Sequence, residues 1–167
     1  DQSLSARRLG HLMQALKNAG IEAHPCPVII ENDRDSMAAI ENLKEAQCNG
    51  AVVFLGNFGP EGPTTLFIQK YGGPCMICAA AEENARTLAS ARNRGDALCG
   101  MLNIGYSLHL RRLRAFIPQF PNGSPEPLVA QVRLFERIAR VVIGVRQLKL
   151  VGFGPRPQDF LACNAPI

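Results

Sequence analysis

The chain has 167 residues and a net charge of +4; 47% of its residues are hydrophobic and 19% are charged. This length suits one domain with a sizeable core, and this composition excludes an intrinsically disordered chain. No apolar run approaches the roughly twenty residues of a membrane span, and residues 1–10 lack the basic and apolar regions of a signal peptide. We therefore expect a cytoplasmic protein that has no membrane partner.

The first 30 residues predict a helix followed by a strand. Apolar residues recur at helical spacing over residues 4–16, and Gly20 is expected to end that helix. Residues 21–30 have the composition of a strand, but Pro25 and Pro27 interrupt it. Proline cannot donate to a sheet, so we expect at least the first half to be irregular or at a sheet edge.

The middle of the chain alternates between the two element types. Either Asp33 or Asp35 can cap a helix that carries apolar residues at helical spacing. Residues 51–55 form a short continuous apolar run, which is typical of a buried parallel strand. A helix is then predicted for residues 64–71 and a second strand for residues 75–80.

The last third continues this alternation. The prediction for residues 82–94 is ambiguous, since they could form a loop with a short helix. Asp96 can cap a helix that runs to residue 113, and a short strand follows at residues 114–118. After a loop, a candidate cap at Ser124 precedes a long amphipathic helix over residues 125–147. Residues 148–153 predict the last strand.

Strands that alternate with helices predict an α/β fold with a three-layer, doubly wound, mostly parallel sheet of the flavodoxin/Rossmann type. Such domains normally begin with a strand, whereas this sequence begins with a helix, so we expect a further strand before residue 1. In the flavodoxin-like order that strand lies between the second and third. Residues 148–153 are expected to pair with a sheet. They would either take the place of the missing strand in their own chain or add to the edge of a neighbouring copy's sheet.

The six cysteines are scattered over different predicted elements, which is typical of reduced and mostly buried thiols. Cys75 and Cys78 have the spacing of a redox motif, but they lie within a predicted strand. Side chains three positions apart on a strand point to opposite faces of the sheet. The sequence therefore predicts core packing for this pair.

Two turns that follow predicted strands are candidate binding sites, because ligands bind beyond the carboxyl ends of strands in open α/β sheets. The first, residues 56–62, is rich in glycine and carries Phe58, but it lacks the spacing of a dinucleotide fingerprint. The second, residues 152–160, carries Arg156 between two prolines that stiffen it, and Asp159 follows them. Two simpler interpretations stay open: Phe58 packs over the sheet end, and Arg156 and Asp159 form an ion pair that closes the turn.

A cluster of arginines raises the question of nucleic-acid binding. Arg111, Arg112 and Arg114 lie close together, and basic patches can hold nucleic acid. Acidic residues are interspersed elsewhere, however, and the chain has only two Tyr and no Trp for base stacking. We expect no nucleic-acid partner.

Three blocks of the sequence together resemble the L-fucose/L-arabinose isomerase-like family. They are residues 50–61, residues 95–112 with the following Phe116-Ile117-Pro118, and residues 125–147 with the turn at 152–160. The resemblance implies that residues 1–147 are the N-terminal α/β domain of such an enzyme. Residues 148–167 would then be the first strand and turn of the next domain.

The resemblance also implies a cofactor and a reaction. Enzymes of this family isomerise aldoses and ketoses with manganese, which two carboxylates and a histidine hold while carboxylates serve as acid and base. His11, His24 and His109 each lack two carboxylates at a suitable spacing in this sequence. We therefore expect no catalytic residue, no metal ligand and no bound manganese here, and a fragment that is inert alone.

The partners implied by the resemblance are a small sugar and further copies of the chain, since these enzymes are homo-oligomers that share active sites between subunits. Phe58 would offer its ring to a sugar in a neighbouring subunit. Arg156 would donate to sugar hydroxyl groups, with Asp159 in the same turn. We expect this chain to self-associate.

Two other classes of function stay open. One is a sugar- or effector-binding module of the periplasmic-binding-protein type, which also places ligands at the strand ends of doubly wound domains. The other is a flavodoxin-like interaction domain. The latter would need a phosphate-binding first turn, which the sequence does not show.

Overall fold

A computed structural model describes residues 2–82 and 95–151 of the chain. Within these residues there are five helices and three strands, which alternate from α2 onward. The elements in chain order are α1 (Gln2–Asn18), α2 (Asp33–Glu45), β1 (Ala51–Leu55), α3 (Glu61–Tyr71), β2 (Cys75–Ala80), α4 (Ala97–Leu110), β3 (Asn122–Gly123) and α5 (Pro125–Arg146). The predicted α/β character is confirmed.

The three strands form one small parallel sheet in the order β1-β2-β3, with β2 in the centre. Ala51 pairs with Cys75 at one end of the β1–β2 ladder, and Leu55 pairs with Ala79 at the other. On its other side β2 pairs with β3, where Ala79 lies opposite Asn122. The bounds predicted for β1 and β2 are confirmed, because both are continuous apolar runs that turns delimit.

Every residue of β2 is buried, and its side chains alternate between two hydrophobic clusters. Ile77 belongs to a cluster formed with α2, α3 and α4, whereas Met76 belongs to a cluster formed with α1 and α5. Helices therefore pack against both faces of the central strand. Cys75 and Cys78 lie in different clusters, which confirms that these two side chains point to opposite faces.

The N-terminus of α2 is capped by Asn32, so the expectation that Asp33 or Asp35 is the cap is wrong. The Asn32 side chain accepts hydrogen bonds from the backbone N–H groups of Arg34 and Asp35. The Asp35 carboxylate in turn accepts one from the Asn32 N–H at 3.1 Å. This reciprocal capping box satisfies donors at both positions, which favours Asn32 over its acidic neighbours.

Residues 21–30 are neither helix nor strand, so the expectation of an irregular first half is confirmed and the strand predicted for the rest is wrong. Pro25 and Pro27 lack the backbone donors that a sheet requires. Val28 and Ile30 still pack against the core, which explains the apolar pattern that suggested a strand. As a result, no described strand lies beside the outer edge of β1.

The strand predicted for residues 114–118 is reduced to a single bridge between Phe116 and Met76. The Phe116 N–H donates to the Cys75 carbonyl at 2.8 Å, and the Phe116 carbonyl accepts from the Ile77 N–H at 2.9 Å. Ladder pairing resumes at β3, within the segment predicted as a loop. Pro118 and Pro121 remove donors between these two contacts, which interrupts the strand.

The helix predictions hold with small shifts at the ends. α3 begins at Glu61 rather than at residue 64, and α4 ends at Leu110 because Arg112 adopts a left-handed conformation with φ of +54°. Asp96 and Ser124 occupy the predicted cap positions, but neither side chain makes a capping hydrogen bond. None of the described helices has both the length and the apolar composition that crossing a membrane requires.

The ambiguous segment after β2 lies outside the described residues from residue 83 onward. Of the strand predicted for residues 148–153, residues 148–151 are unpaired in this structure and their apolar side chains are exposed. Pairing with the chain's own sheet is therefore wrong for these four residues. β2 already has a partner strand on each side, so a further strand could pair with the described sheet only along its outer edges. Pairing with a neighbouring copy stays a prediction.

The burial of β2 predicts how two methionines differ in their contribution to stability. Met76→Ala should lower the free energy of unfolding by about 2–5 kcal/mol, because it leaves a cavity between the central strand and two helices. Met37→Ala is the matched control: its side chain is exposed on α2, so the change should stay within about 0.5 kcal/mol. Urea unfolding of both variants measures this, and equal losses would contradict the central position of β2.

Candidate functional site at the carboxyl edge of the sheet

Because β1 and β2 are parallel, the segments that follow them lie at the same edge of the sheet. The segment after β1 is the loop over residues 56–60, which leads into α3. Ala81 and Glu82 follow β2, and the N-terminus of α4 lies beside both segments. This edge is where the sequence predicted a binding site around Phe58.

Gly56, the first residue of the loop, lies directly against α1. A Cβ atom at this position would lie 2.7 Å from the Ser5 Cα, so no larger residue fits without a shift of the backbone. The Arg8 guanidinium, also on α1, donates from Nη1 to the Gly56 carbonyl at 2.6 Å. Helix α1 therefore fixes the start of the loop by both close packing and a charge-assisted hydrogen bond.

The Asn57 side chain connects the loop to α4. Its Oδ1 accepts hydrogen bonds from the N–H of Phe58 at 2.8 Å and from the N–H of Asp96 at 2.9 Å. Asp96 is the residue that immediately precedes α4. One amide oxygen thus satisfies a donor from each of two segments that are 39 positions apart in the sequence.

Gly100 allows the backbone of the loop to approach α4 closely. A Cβ at Gly100 would lie 3.1 Å from the Gly59 nitrogen and 3.3 Å from the Phe58 Cα. The loop is therefore braced by α1 at its start and by α4 along its middle. On this braced loop Phe58 remains 47% exposed, so about half of its surface stays accessible to a ligand.

Arg8 and Glu82 form a polar pair beside the loop. The Arg8 Nη2 lies 4.0 Å from the Glu82 Oε2, and the Arg8 side chain is almost entirely buried. The Glu82 Oε1 accepts from the Leu98 N–H at 2.9 Å, in the first turn of α4, where a carboxylate is favoured by the helix dipole. Sequence reasoning missed this pair, because its members are 74 positions apart and no local motif marks either of them.

Of the three substrate-binding residues predicted from the sequence, the structure places Phe58 at this edge. Arg156 and Asp159 lie outside the described residues, so their contact with a sugar stays a prediction.

The two cysteines of β2 are unsuited to redox chemistry. Burial raises the pKa of the Cys75 thiol to about 12, and burial raises the pKa of the Cys78 thiol to about 12 as well. Both thiols are therefore protonated at neutral pH, whereas thiol–disulfide exchange requires the thiolate. Together with their opposite orientations, this confirms the prediction of core packing.

The described residues do not fit a manganese site. In residues 2–82 and 95–151, no three side chains of His, Cys, Asp or Glu come together in a way that could hold a metal ion. The His24 Nε2 hydrogen-bonds to the Asn42 Oδ1 at 3.0 Å, so that histidine already has a structural partner.

Two glycines of α4 test the bracing of the loop. Gly105→Ala meets no atom within 4 Å and should raise the free energy of unfolding by up to about 1 kcal/mol through helix propensity. Gly100→Ala has the same propensity gain but presses on the backbone of the loop. We expect Gly100→Ala to be less stable than Gly105→Ala by at least about 1 kcal/mol in urea unfolding. Equal stabilities would show that the loop does not depend on this contact.

The comparisons with known proteins agree with the resemblance noted in the sequence. The family model described as the fucose/sulfoquinovose isomerase N-terminal domain matches residues 1–146 of the 167. No curated protein matches the chain significantly. No solved structure does so either. Because the match covers most of its length, the chain belongs to the fucose/sulfoquinovose isomerase N-terminal domain family.

Proposed function

We propose that this chain acts as the N-terminal domain of a metal-dependent aldose–ketose isomerase and is inert alone. In that role it contributes the carboxyl edge of its sheet to a sugar pocket that other parts of the enzyme complete. The observation that carries the proposal is a half-exposed aromatic side chain, Phe58, held on a braced loop at the carboxyl edge of the sheet in a domain of this family.

The braced loop favours a ligand contact for Phe58 over a purely structural one. A ligand contact requires an accessible ring, and 47% of this side chain faces outward. The Asn57 hydrogen bonds and the close approach at Gly100 hold the backbone in one position, so a sugar would meet a preorganised ring. Phenylalanine has no polar edge, so it would contact the apolar C–H face of the sugar.

The resemblance to the isomerase family supplies the rest of the proposed pocket. Arg156 would donate to sugar hydroxyl groups from the turn of the following domain, and Asp159 would lie in that turn. Manganese would be held by groups outside the described residues and would polarise the sugar oxygens. The role of the described residues is to position the sugar.

We also propose the architecture of the full sheet, the cellular location of the enzyme and its substrate. The full sheet would be doubly wound in three layers, in the flavodoxin or Rossmann manner, and the helices packed on both faces of β2 support this. The enzyme would be a cytoplasmic homo-oligomer. Its substrate would be a small sugar such as fucose or sulfoquinovose, the two sugars in the family's description.

The first test is turnover. The 167-residue chain, incubated with Mn²⁺ and with L-fucose, L-arabinose or sulfoquinovose in turn, should form no ketose. The natural protein in which this chain occurs should isomerise one such aldose in a metal-dependent manner. Turnover by the chain alone would contradict the proposal. Micromolar sugar binding by the chain alone, without metal and without turnover in the natural protein, would favour a sugar-binding module.

The second test concerns Phe58 in the natural protein. Phe58→Ala should raise KM more than it lowers kcat, because a stacking surface binds the ground state and the transition state about equally. The loss of one aromatic contact, about 1 kcal/mol, corresponds to a roughly fivefold higher KM. Phe120→Ala is the control. Phe120 is also exposed, but it lies before a strand, whereas the candidate site is formed by segments that follow strands. Equal kinetics for the wild type and Phe58→Ala would assign Phe58 to packing.

A further inference from the structure

The Arg8 side chain is a buried cation at the carboxyl edge of the sheet. It is only 10% exposed, although arginine is seldom buried unless its charge is paired. Taking a charge out of water costs free energy, which hydrogen bonds and opposite charges around it have to offset. The groups that surround this guanidinium therefore indicate what the residue does.

Three separate segments of the chain converge on the Arg8 guanidinium. The segment after β1 contributes the Gly56 carbonyl, which accepts a hydrogen bond from Nη1 at 2.6 Å. The segment after β2 contributes Glu82, whose Oε2 lies 4.0 Å from Nη2. The segment before α4 contributes Gly95, which is buried and where a Cβ atom would overlap the guanidinium, 2.7 Å from Nη2. Arginine suits this position because its planar head carries donors that point in several directions.

Two of these segments also determine where Phe58 lies. Gly56 is two residues before Phe58, so its carbonyl fixes the start of the loop. Gly95 immediately precedes Asp96, whose N–H donates to the Asn57 side chain. The same Asn57 oxygen accepts from the Phe58 N–H. The guanidinium therefore contacts both chain segments that hold the loop in place.

We infer that Arg8 is a positioning residue, which sets the place of the Phe58 ring and through it the affinity for sugar. This inference rests on the proposed function, in which Phe58 contacts the sugar. The Arg8 nitrogen atoms face Gly56 and Glu82, and nine-tenths of the side chain is buried. Arg8 thus acts on the sugar through the loop rather than by a contact of its own.

The first test needs no sugar. In the 167-residue chain, Phe58→Trp introduces the single Trp, so its emission reports on the surroundings of position 58. Adding Arg8→Met, which removes the donors but keeps a long side chain, should shift the emission maximum and change quenching by acrylamide. Arg7→Met is the matched control, since Arg7 is the exposed neighbour on α1, and it should change neither. Circular dichroism checks that each variant is folded.

Gly95→Ala displaces the same guanidinium from the other side. The three atoms nearest to the added Cβ all belong to the Arg8 guanidinium, which is the flexible end of a side chain. The emission at position 58 should therefore shift in the same direction as with Arg8→Met. Combining the two substitutions should give no larger shift than Arg8→Met alone, because both disrupt one contact.

The second test measures kinetics in the natural protein. Arg8→Met should raise KM by up to roughly fivefold and change kcat less, since at most the aromatic contact is lost. In the Phe58→Ala background it should raise KM no further, because the ring that Arg8 positions is absent. An arginine that contacted the sugar itself would raise KM by the same factor in both backgrounds.

Two results would overturn the inference. One is unchanged emission and quenching at position 58 in the folded Arg8→Met chain, and the other is an equal rise of KM with and without the Phe58 ring. Failure of the proposed function looks different, because Phe58→Ala alone would then leave KM unchanged or the natural protein would isomerise no aldose. In that case the emission in the first test still decides whether Arg8 positions the ring.

Discussion

The complete burial of β2 is the constraint on which the rest of the structure depends. Six consecutive residues without exposed side chains require apolar partners on both faces, and α1 with α5 on one side and α2 with α3 and α4 on the other supply them. Because β1 pairs with β2 in parallel, the connections that follow the two strands meet at one edge. The position of the candidate site is thus a consequence of how the central strand is covered.

At that edge, the packing of the backbone determines how one side chain is presented. The close approaches at Gly56 and Gly100 and the two hydrogen bonds to Asn57 leave the loop little freedom. The exposed Phe58 ring is therefore held on a rigid loop. The same helix that braces this loop, α4, also carries exposed apolar side chains.

The sequence predicted those parts of the fold that local patterns determine. The strands at 51–55 and 75–80 and the helix that begins at Pro125 follow from apolar runs, periodicity and turn residues. The predictions failed in the second half of residues 21–30, where Val28 and Ile30 pack against the core without forming a strand. In the site, only Phe58 could be predicted, because it follows a recognisable strand. Arg8 and Glu82 could not, since only the packing of α1 against the sheet brings them together.

The central claim is that the ring at position 58 contacts a sugar. Tryptophan fluorescence tests it most directly, because this chain contains no Trp and the wild type supplies the background emission of the rest of the natural protein. The Phe58→Trp and Phe120→Trp variants would be prepared in the natural protein and titrated with substrate in the absence of metal. The account predicts a saturable shift of emission for Phe58→Trp that is absent from Phe120→Trp and from the wild type. Identical emission for Phe58→Trp with and without saturating sugar would contradict it.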